Sequence, residues 1–310
     1  MQNQLGIVSA ILPELSLTQV LELCVREQFA CVELMCWPAG KADRRYAGVT
    51  HIDVSKTDDF GMVRDQLAAA RNGARAVTVS ALGYYPNLLS PDTSYRESAT
   101  AHLRWVIEAA RLLDIGLVNT FVGRDWTQSL DANRRLFREL WPGLVRFAED
   151  QGVRIAIENC PMLFTADEWP GGKNLAVSPA VWRWMFEEIP SASFGLNYDP
   201  SHMIWQQMDE VEPLREFADR IFHIHAKDAR INRRKLNEVG ILAHPLEYHD
   251  PRLPGLGDVN WSAFFAALSQ TRSSVTVAIE MEDRAYEGSL DDRLRGLRQA
   301  RRFLSQFCAV

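Results

Sequence analysis

The chain has 310 residues, 47% hydrophobic and 24% charged, an ordinary balance for a globular protein with a large core. Its 34 Lys and Arg are outnumbered by 40 Asp and Glu, and no basic tract interrupts the sequence, which argues against a nucleic-acid-binding face. No segment approaches the roughly 18 consecutive apolar residues that cross a bilayer, so no membrane partner is expected.

In chain order, MQNQLGIVSAIL lacks a basic start and runs straight into strand-like GIVSAIL, so no secretory leader is expected. LSLTQVLELCVREQF follows, with apolar residues at helical spacing behind a Ser16 start signal. CVELMCW reads as the second strand, with a helix around DDFGMVRDQLAAARNG. AVTVSALGYY is the third, with helix ESATAHLRWVIEAARLLD, and LVNTFVG the fourth, with helix LDANRRLFRELWPGLVRFAEDQG. VRIAIEN leads to SPAVWRWMFEEI, SFGLNYD to VEPLREFAD, IFHIHAKD to WSAFFAALSQ, and SVTVAIE to LDDRLRGLRQARRFLSQF. Eight strand–helix units with no linker between them predict one α/β domain over 1–310, a (β/α)8 TIM barrel. The five cysteines, Cys24, Cys31, Cys36, Cys160 and Cys308, are odd in number and lack zinc-type pairing. They read as reduced, mostly core thiols of a cytoplasmic protein.

Three strand-to-helix connections, at 38–57, 161–179 and 229–257, are longer than a barrel requires. Such loops lie on the catalytic face, and these are rich in Trp, Tyr, Pro and His, so they are expected to wall a deep pocket. Beneath them, Glu158, Asp199, His225 and Glu280 each stand at the tail of a strand-like run. Strand C-termini converge on one mouth of such a barrel. Three carboxylates and an imidazole meeting there form an oxygen-rich pocket for a divalent metal.

The segments IAIEN at 155–159, NYDPSH at 197–202, HIHAKD at 223–228, RLPGLGDVNW at 252–261 and AIEMED at 278–283 carry a resemblance. In order and spacing the chain resembles the xylose isomerase-like TIM-barrel superfamily, the sugar isomerases and epimerases of the D-tagatose 3-epimerase type and, more remotely, endonuclease IV. The first half matches in architecture more than in motif. The resemblance implies that Glu158, Asp199, His225 and Glu280 hold one divalent ion, Mn2+ first and Mg2+ or Co2+ as alternatives. It places His202 beside the substrate or near the metal.

The chemistry agrees. Moving a carbonyl, or inverting the carbon beside it, requires removing a proton next to a ketone and stabilising the enediolate that results. A divalent metal on the ketone oxygen and adjacent hydroxyl acts as a Lewis acid. One carboxylate takes the proton, and a second on the opposite face can return one. Glu158 and Glu280 are the expected acid–base pair, with His202 beside them. Coming from strands five and eight, they are expected to flank a substrate rather than to meet each other.

Six further residues are expected to contact substrate: Glu33, Trp37, Asn119, Trp169, Lys227 and Arg252. Strand alternation puts Lys227 on the face of His225, to polarise a substrate oxygen or pair with a barrel carboxylate, and points Asp228 away. His223 is expected in the core or behind His225, and Glu282 beside Glu280. His51, Asp53, His244 and His249 lie in the long loops, where sequence does not rank them.

Aromatic residues near the mouth, Trp37, Tyr84, Tyr85, Trp126, Trp169 and Trp205, suggest a wide, stacking-competent site. With an acidic eighth loop, MEDRAYEGS, they favour an unphosphorylated sugar or glycoside over a sugar phosphate. The leading expectation is a metal-dependent keto-sugar isomerase or epimerase. The alternative is a lyase (deglycosidase) on 3-oxo-glycosides, which uses the same enolate to expel the group on carbon 1. The large subunits of C-glycoside deglycosidases are similar to this superfamily, and that reading brings a small partner subunit. Otherwise a homo-oligomer is expected. A silent sugar-binding barrel fits poorly with a full ligand set, and an endonuclease with seven histidines and an acidic charge.

Overall fold

The computed structural model describes residues 3–40, 47–56, 58, 60–163, 172–271 and 274–308. Its strands are β1 Leu5–Val8, β2 Cys31–Met35, β3 Thr78–Gly83, β4 Leu117–Thr120, β5 Arg154–Glu158, β6 Phe194–Tyr198, β7 Ile221–Ala226, β8 Asp228–Ile231, β9 His249–Arg252 and β10 Thr276–Ile279. All but β8 and β9 close into a barrel in the order β1-β10-β7-β6-β5-β4-β3-β2. Every pairing around that ring is parallel. The chain thus forms the expected eight-stranded (β/α)8 barrel.

Alternation along the strands sorts side chains into two layers. Leu5, Ile7, Val32, Leu34, Ile155, Ile157, Phe194, Leu196, Val277 and Ile279 join one large apolar cluster with the helices. Their neighbours Ala81, Leu117 and Ala156 form a separate small cluster inside the ring. The outer cluster includes Trp141, Trp182, Phe137 and Phe264, all fully buried. Full burial of a Phe or Leu contributes about 1.5–3 kcal/mol, so this layer carries most of the stability.

The main outer helices are α1 Leu17–Arg26, α2 Phe60–Asn72, α3 Thr93–Leu112, α4 Leu130–Asp150, α5 Pro179–Glu188, α9 Trp261–Gln270 and α10 Leu290–Leu304. Short helices α6 Ser201–Trp205, α7 Glu212–Glu216 and α8 Arg233–Val239 complete the set. Ser16 starts α1 through a capping box with Gln19, as its position predicts. Helix α3 starts four residues before the expected Glu97, because the Asp92 carboxylate accepts the Tyr95 N–H and caps it. The GIVSAIL run stops being a strand at Val8. There Ser9 Oγ takes the Met35 N–H at 3.0 Å, and a 3-10 turn over Ser9–Ile11 follows. Among the described residues no helix is long and apolar enough to cross a membrane.

The third long connection is not an irregular loop. β8 and β9 pair antiparallel, with α8 and a short 3-10 turn, Pro245–Glu247, between them. Its root is Asp228, whose carboxylate accepts the backbone N–H of Ala229, Gly255 and Val259 and the indole N–H of Trp261, all within 2.9–3.0 Å. A Cβ on Gly257 would lie 2.1 Å from that carboxylate, so only glycine fits there.

Candidate metal centre

Glu158 ends β5, Asp199 follows β6, His225 lies near the end of β7, and Glu280 follows β10. Their side chains meet at one end of the ring. His225 Nδ1 lies 3.7 Å from Glu158 Oε2 and 3.5 Å from Glu280 Oε2. These three residues offer ligand atoms within 4.8 Å of one another. Asp199 is tied in by Lys227, whose ammonium lies 3.0 Å from Asp199 Oδ2, 2.7 Å from Glu280 Oε2 and 3.2 Å from Glu282 Oε2. Glu158 and Glu280 therefore converge on one point instead of standing apart. The barrel is narrow, and inward side chains from non-adjacent strands meet across it.

One atom at this point, His225 Nδ1, is buried and has no hydrogen-bond partner among the described residues, while Asp199 Oδ2 is met only by the charges of Lys227 and His202. Unpaired buried polar atoms are costly. The geometry explains why Nδ1 is bare. His225 Nε2 lies 2.8 Å from Glu33 Oε2, and an ionised carboxylate only accepts, so Nε2 carries the hydrogen and, in the neutral ring, Nδ1 is left with the lone pair. A carboxylate behind a histidine that offers its other nitrogen is the arrangement by which proteins orient metal ligands. The residues present thus fit a divalent cation.

A second polar layer lies below. Glu33 accepts from Tyr85 Oη at 2.5 Å and from Asn119 Nδ2 at 2.8 Å. Asn197 has Nδ2 2.9 Å from His225 Nε2 and Oδ1 3.0 Å from His223 Nδ1, while His223 Nε2 meets Ser80 Oγ at 3.2 Å. Strand register slips at Val32/Glu33 and Leu196/Asn197, so both bulges aim side chains of this layer. A Cβ on Gly83 would lie 2.5 Å from Glu33 Oε1, and glycine makes the room. Glu33 and Asn119, expected to touch substrate, are fully buried behind His225, Glu33 bound to its Nε2 and Asn119 bound to Glu33.

The electrostatics divide the acids. Burial alone would raise Glu33 and Glu158, but both are held below the usual carboxylate range, Glu33 chiefly by His225, and Glu158 by His202 and His225. Asp199 is likewise lowered, with Lys227 and His202 overcoming its burial. Glu280 is raised, by burial and by its neighbour Glu158, against the pull of Lys227. Burial pushes His223 down to about 4, so it is neutral. Burial opposes the Lys227 charge, yet Asp199, Glu280, Glu282 and Glu158 keep it well above its ordinary value. Of the two expected roles of Lys227, the structure has the pairing with barrel carboxylates, at the very centre.

His202 sits beside the cluster, with Nε2 3.2 Å from Asp199 Oδ2 and 3.6 Å from Glu158 Oε1. With Glu158 and the partly exposed Cys160 it forms another group whose ligand atoms lie within 4.8 Å. Three buried asparagines brace the strand ends. Asn159 Nδ2 donates to the Asp199 carbonyl while its Oδ1 accepts the Asp199 N–H, and Asn174 Nδ2 donates to the carbonyls of Glu158 and Cys160. Asn197 is the third. The sequence pattern did not single out any of the three, although Asn159 directly follows Glu158 in IEN and Asn197 stands two residues before Asp199 in LNYD.

Other expected residues are engaged elsewhere. Arg252 Nε lies 3.4 Å from Asp283 Oδ2, and Trp37 packs edge-on against Tyr84 at 5.0 Å. Trp169 lies outside the described residues. His51 bonds Ser9 Oγ and the Leu12 carbonyl, His244 caps the Pro245 turn, and His249 Nδ1 donates to the Pro245 carbonyl at 2.6 Å. Asp53 caps its own turn through Ser55 and pairs with Lys56.

Comparison with known proteins places this geometry. The chain is similar in fold to D-psicose 3-epimerase solved in the presence of D-fructose, with TM-score 0.69, 14% identity, and 99% of this chain and 100% of that one covered. It is also similar to 3-keto-D-glucoside 4-epimerase YcjR from E. coli, with TM-score 0.68, 13% identity and coverage of 97% and 100%. The IOLI protein with a bound zinc atom gives TM-score 0.69 at 16% identity, covering 99% and 100%. A curated relative, the uncharacterized protein YfiH of Bacillus subtilis (strain 168), is 34% identical over 155 residues. That match spans less than half of either chain, 46% of this one and 45% of YfiH. The family model for the xylose isomerase-like TIM barrel matches residues 21–307, and the chain belongs to that family.

Proposed function

We propose that the protein is a divalent-metal-dependent isomerase or epimerase of a keto sugar. The observation that carries this reading is the bare, buried His225 Nδ1 facing Glu158 and Glu280, with Asp199 beside them. Glu158, Asp199, His225 and Glu280 would hold the ion, and three oxygen donors with one nitrogen suit Mn2+, Mg2+ or Co2+. When bound, such an ion supplies Lewis-acid polarisation of a ketone oxygen and its neighbouring hydroxyl.

The chain's own residues supply the rest. Glu280 and Glu158 differ in proton affinity, the condition for one to take a proton and the other to serve the opposite face. Lys227 places a fixed positive charge between Asp199 and Glu280, where an enediolate oxygen gains from it. His202 reaches the same point from α6 and can donate to a substrate hydroxyl. The epimerase structures of similar fold are named for small keto sugars and a 3-keto-glucoside, which supports the substrate class.

The test combines metal analysis with a product assay. Protein stripped by chelator and reloaded with Mn2+, Mg2+ or Co2+ is incubated with free ketoses and with 3-oxo-glycosides. One metal per chain and a rearranged sugar are expected. Release of the aglycone with no rearranged sugar would instead assign the lyase. No turnover of either class and no bound metal would refute both.

A further inference from the structure

We infer that Trp205 is a positioning residue that fixes the tautomer of His202, making it a hydrogen-bond donor to the site and neither a base nor a metal ligand. This rests on the reading above only in placing His202 next to substrate.

The geometry is local. The indole N–H of Trp205 donates to His202 Nδ1 at 3.2 Å. An indole nitrogen is a donor and never an acceptor, so Nδ1 must present its lone pair. In the neutral ring the hydrogen then sits on Nε2. That nitrogen is buried and has no hydrogen-bond partner among the described residues. It lies 3.2 Å from Asp199 Oδ2 and 3.6 Å from Glu158 Oε1. Burial opposes a charge on His202 while Cys160 and Asp199 favour one, with a net upward shift. In either protonation state Nε2 bears a hydrogen, and in the neutral ring the indole bond to Nδ1 keeps it there.

Two exclusions follow. A nitrogen already bearing hydrogen cannot abstract a carbon-bound proton, so that work falls to a glutamate. Ligating a cation through Nε2 would move that hydrogen to Nδ1 and break the indole bond, which counts against closure of the Glu158, Cys160 and His202 group on a soft ion such as zinc, although its atoms are close enough.

Trp205 is itself held from outside. Its ring stacks on His249 at 5.3 Å and 17° between planes, and Tyr248 Oη donates to its carbonyl at 3.4 Å. His249 Nδ1 is bound in turn to the Pro245 carbonyl in the hairpin insertion. The hairpin thereby sets the indole, and the indole sets His202.

The Mg2+-loaded protein, labelled with 15N-histidine, gives the test through long-range proton–nitrogen spectra, the His202 signals being identified by their loss in His202→Asn. The expected wild-type pattern is an unprotonated Nδ1 and a protonated Nε2. Trp205→Phe keeps a ring on His249 but removes the N–H; its His202 nitrogens should shift toward an average of the two tautomers, with bound Mg2+ unchanged. A wild-type His202 protonated at Nδ1, or an unchanged pattern in Trp205→Phe, would overturn the inference. The wild-type spectrum decides even if the variant does not fold. Failure of Mg2+ to bind wild-type protein would count against the metal centre and not against the tautomer.

Discussion

The layer between strands and helices and the interior of the ring obey opposite rules. Outside, Trp141, Trp182, Phe137 and Phe194 fill space against Ile155, Leu196 and Val277, and removal of apolar surface from water dominates. Inside, Glu33, Asn119, Asn197, His223 and His225 are fully buried and linked to one another by hydrogen bonds, with His225 Nδ1 left free toward the site. A buried polar network left half satisfied is worse than an apolar core. The interior is therefore organised for the direction in which His225 points, and the exterior for stability. The comparison teaches that deep burial here marks two separate tasks, which substitutions should separate.

The largest effect is expected in the outer layer. Trp182 is fully buried and its indole donates to the Ala176 carbonyl at 2.7 Å. Trp182→Ala should cost about 3–5 kcal/mol of stability in urea unfolding. Metal affinity of the molecules that remain folded should not move. Next comes the site itself. Glu280→Gln keeps an oxygen and the volume but cannot accept a proton, so turnover should fall by about a hundredfold, roughly 2.7 kcal/mol in barrier. The unfolding midpoint should stay near that of the parent. Solvent-deuterium exchange beside the ketone should slow in this variant or in Glu158→Gln; parental exchange in both would remove the glutamates as bases.

The inner network gives the sharpest contrast. Glu33→Gln leaves shape intact but weakens the partner of His225 Nε2, and calorimetry should show divalent-metal affinity lowered by about 10–100-fold. If Trp182→Ala lowered metal affinity as much, the two layers would not be separate. The smallest effect belongs to the hairpin. Asn232 Oδ1 caps α8 by accepting the Lys235 N–H, so Asn232→Ala should cost about 1 kcal/mol, seen as faster amide exchange over 233–239 with no change in global melting.

The ring and its outer layer were legible because alternation and helical spacing are local patterns. IAIE and TVAI announce their two faces without any knowledge of partners. The four candidate ligands were legible for the same reason, standing at strand tails. Glu33 and Asn119 were misplaced, because whether a strand residue lies at the mouth or below it depends on stagger and bulges between strands. Asn159, Asn174 and Asn197 were invisible because their partners are backbone groups and rings up to 112 residues away. The β8–β9 ribbon was missed because DARI and HDPR are short, charged runs without an apolar period. The wall expected at Trp169 lies outside the described residues.

Asp228 has a consequence for how such a protein can change. Its single carboxylate grips the chain on leaving the barrel, at Ala229, and again on return, at Gly255 and Val259. The excursion between therefore begins and ends at one fixed knot. Its length and composition can be rewritten without any barrel strand shifting register, since closing a longer loop costs only about 0.6 kcal/mol per doubling. The hairpin is in this sense an exchangeable cassette. Residues 232–244 can be replaced while Pro245, Tyr248 and His249 keep hold of Trp205 and Asp228, Gly257 and Trp261 keep the knot.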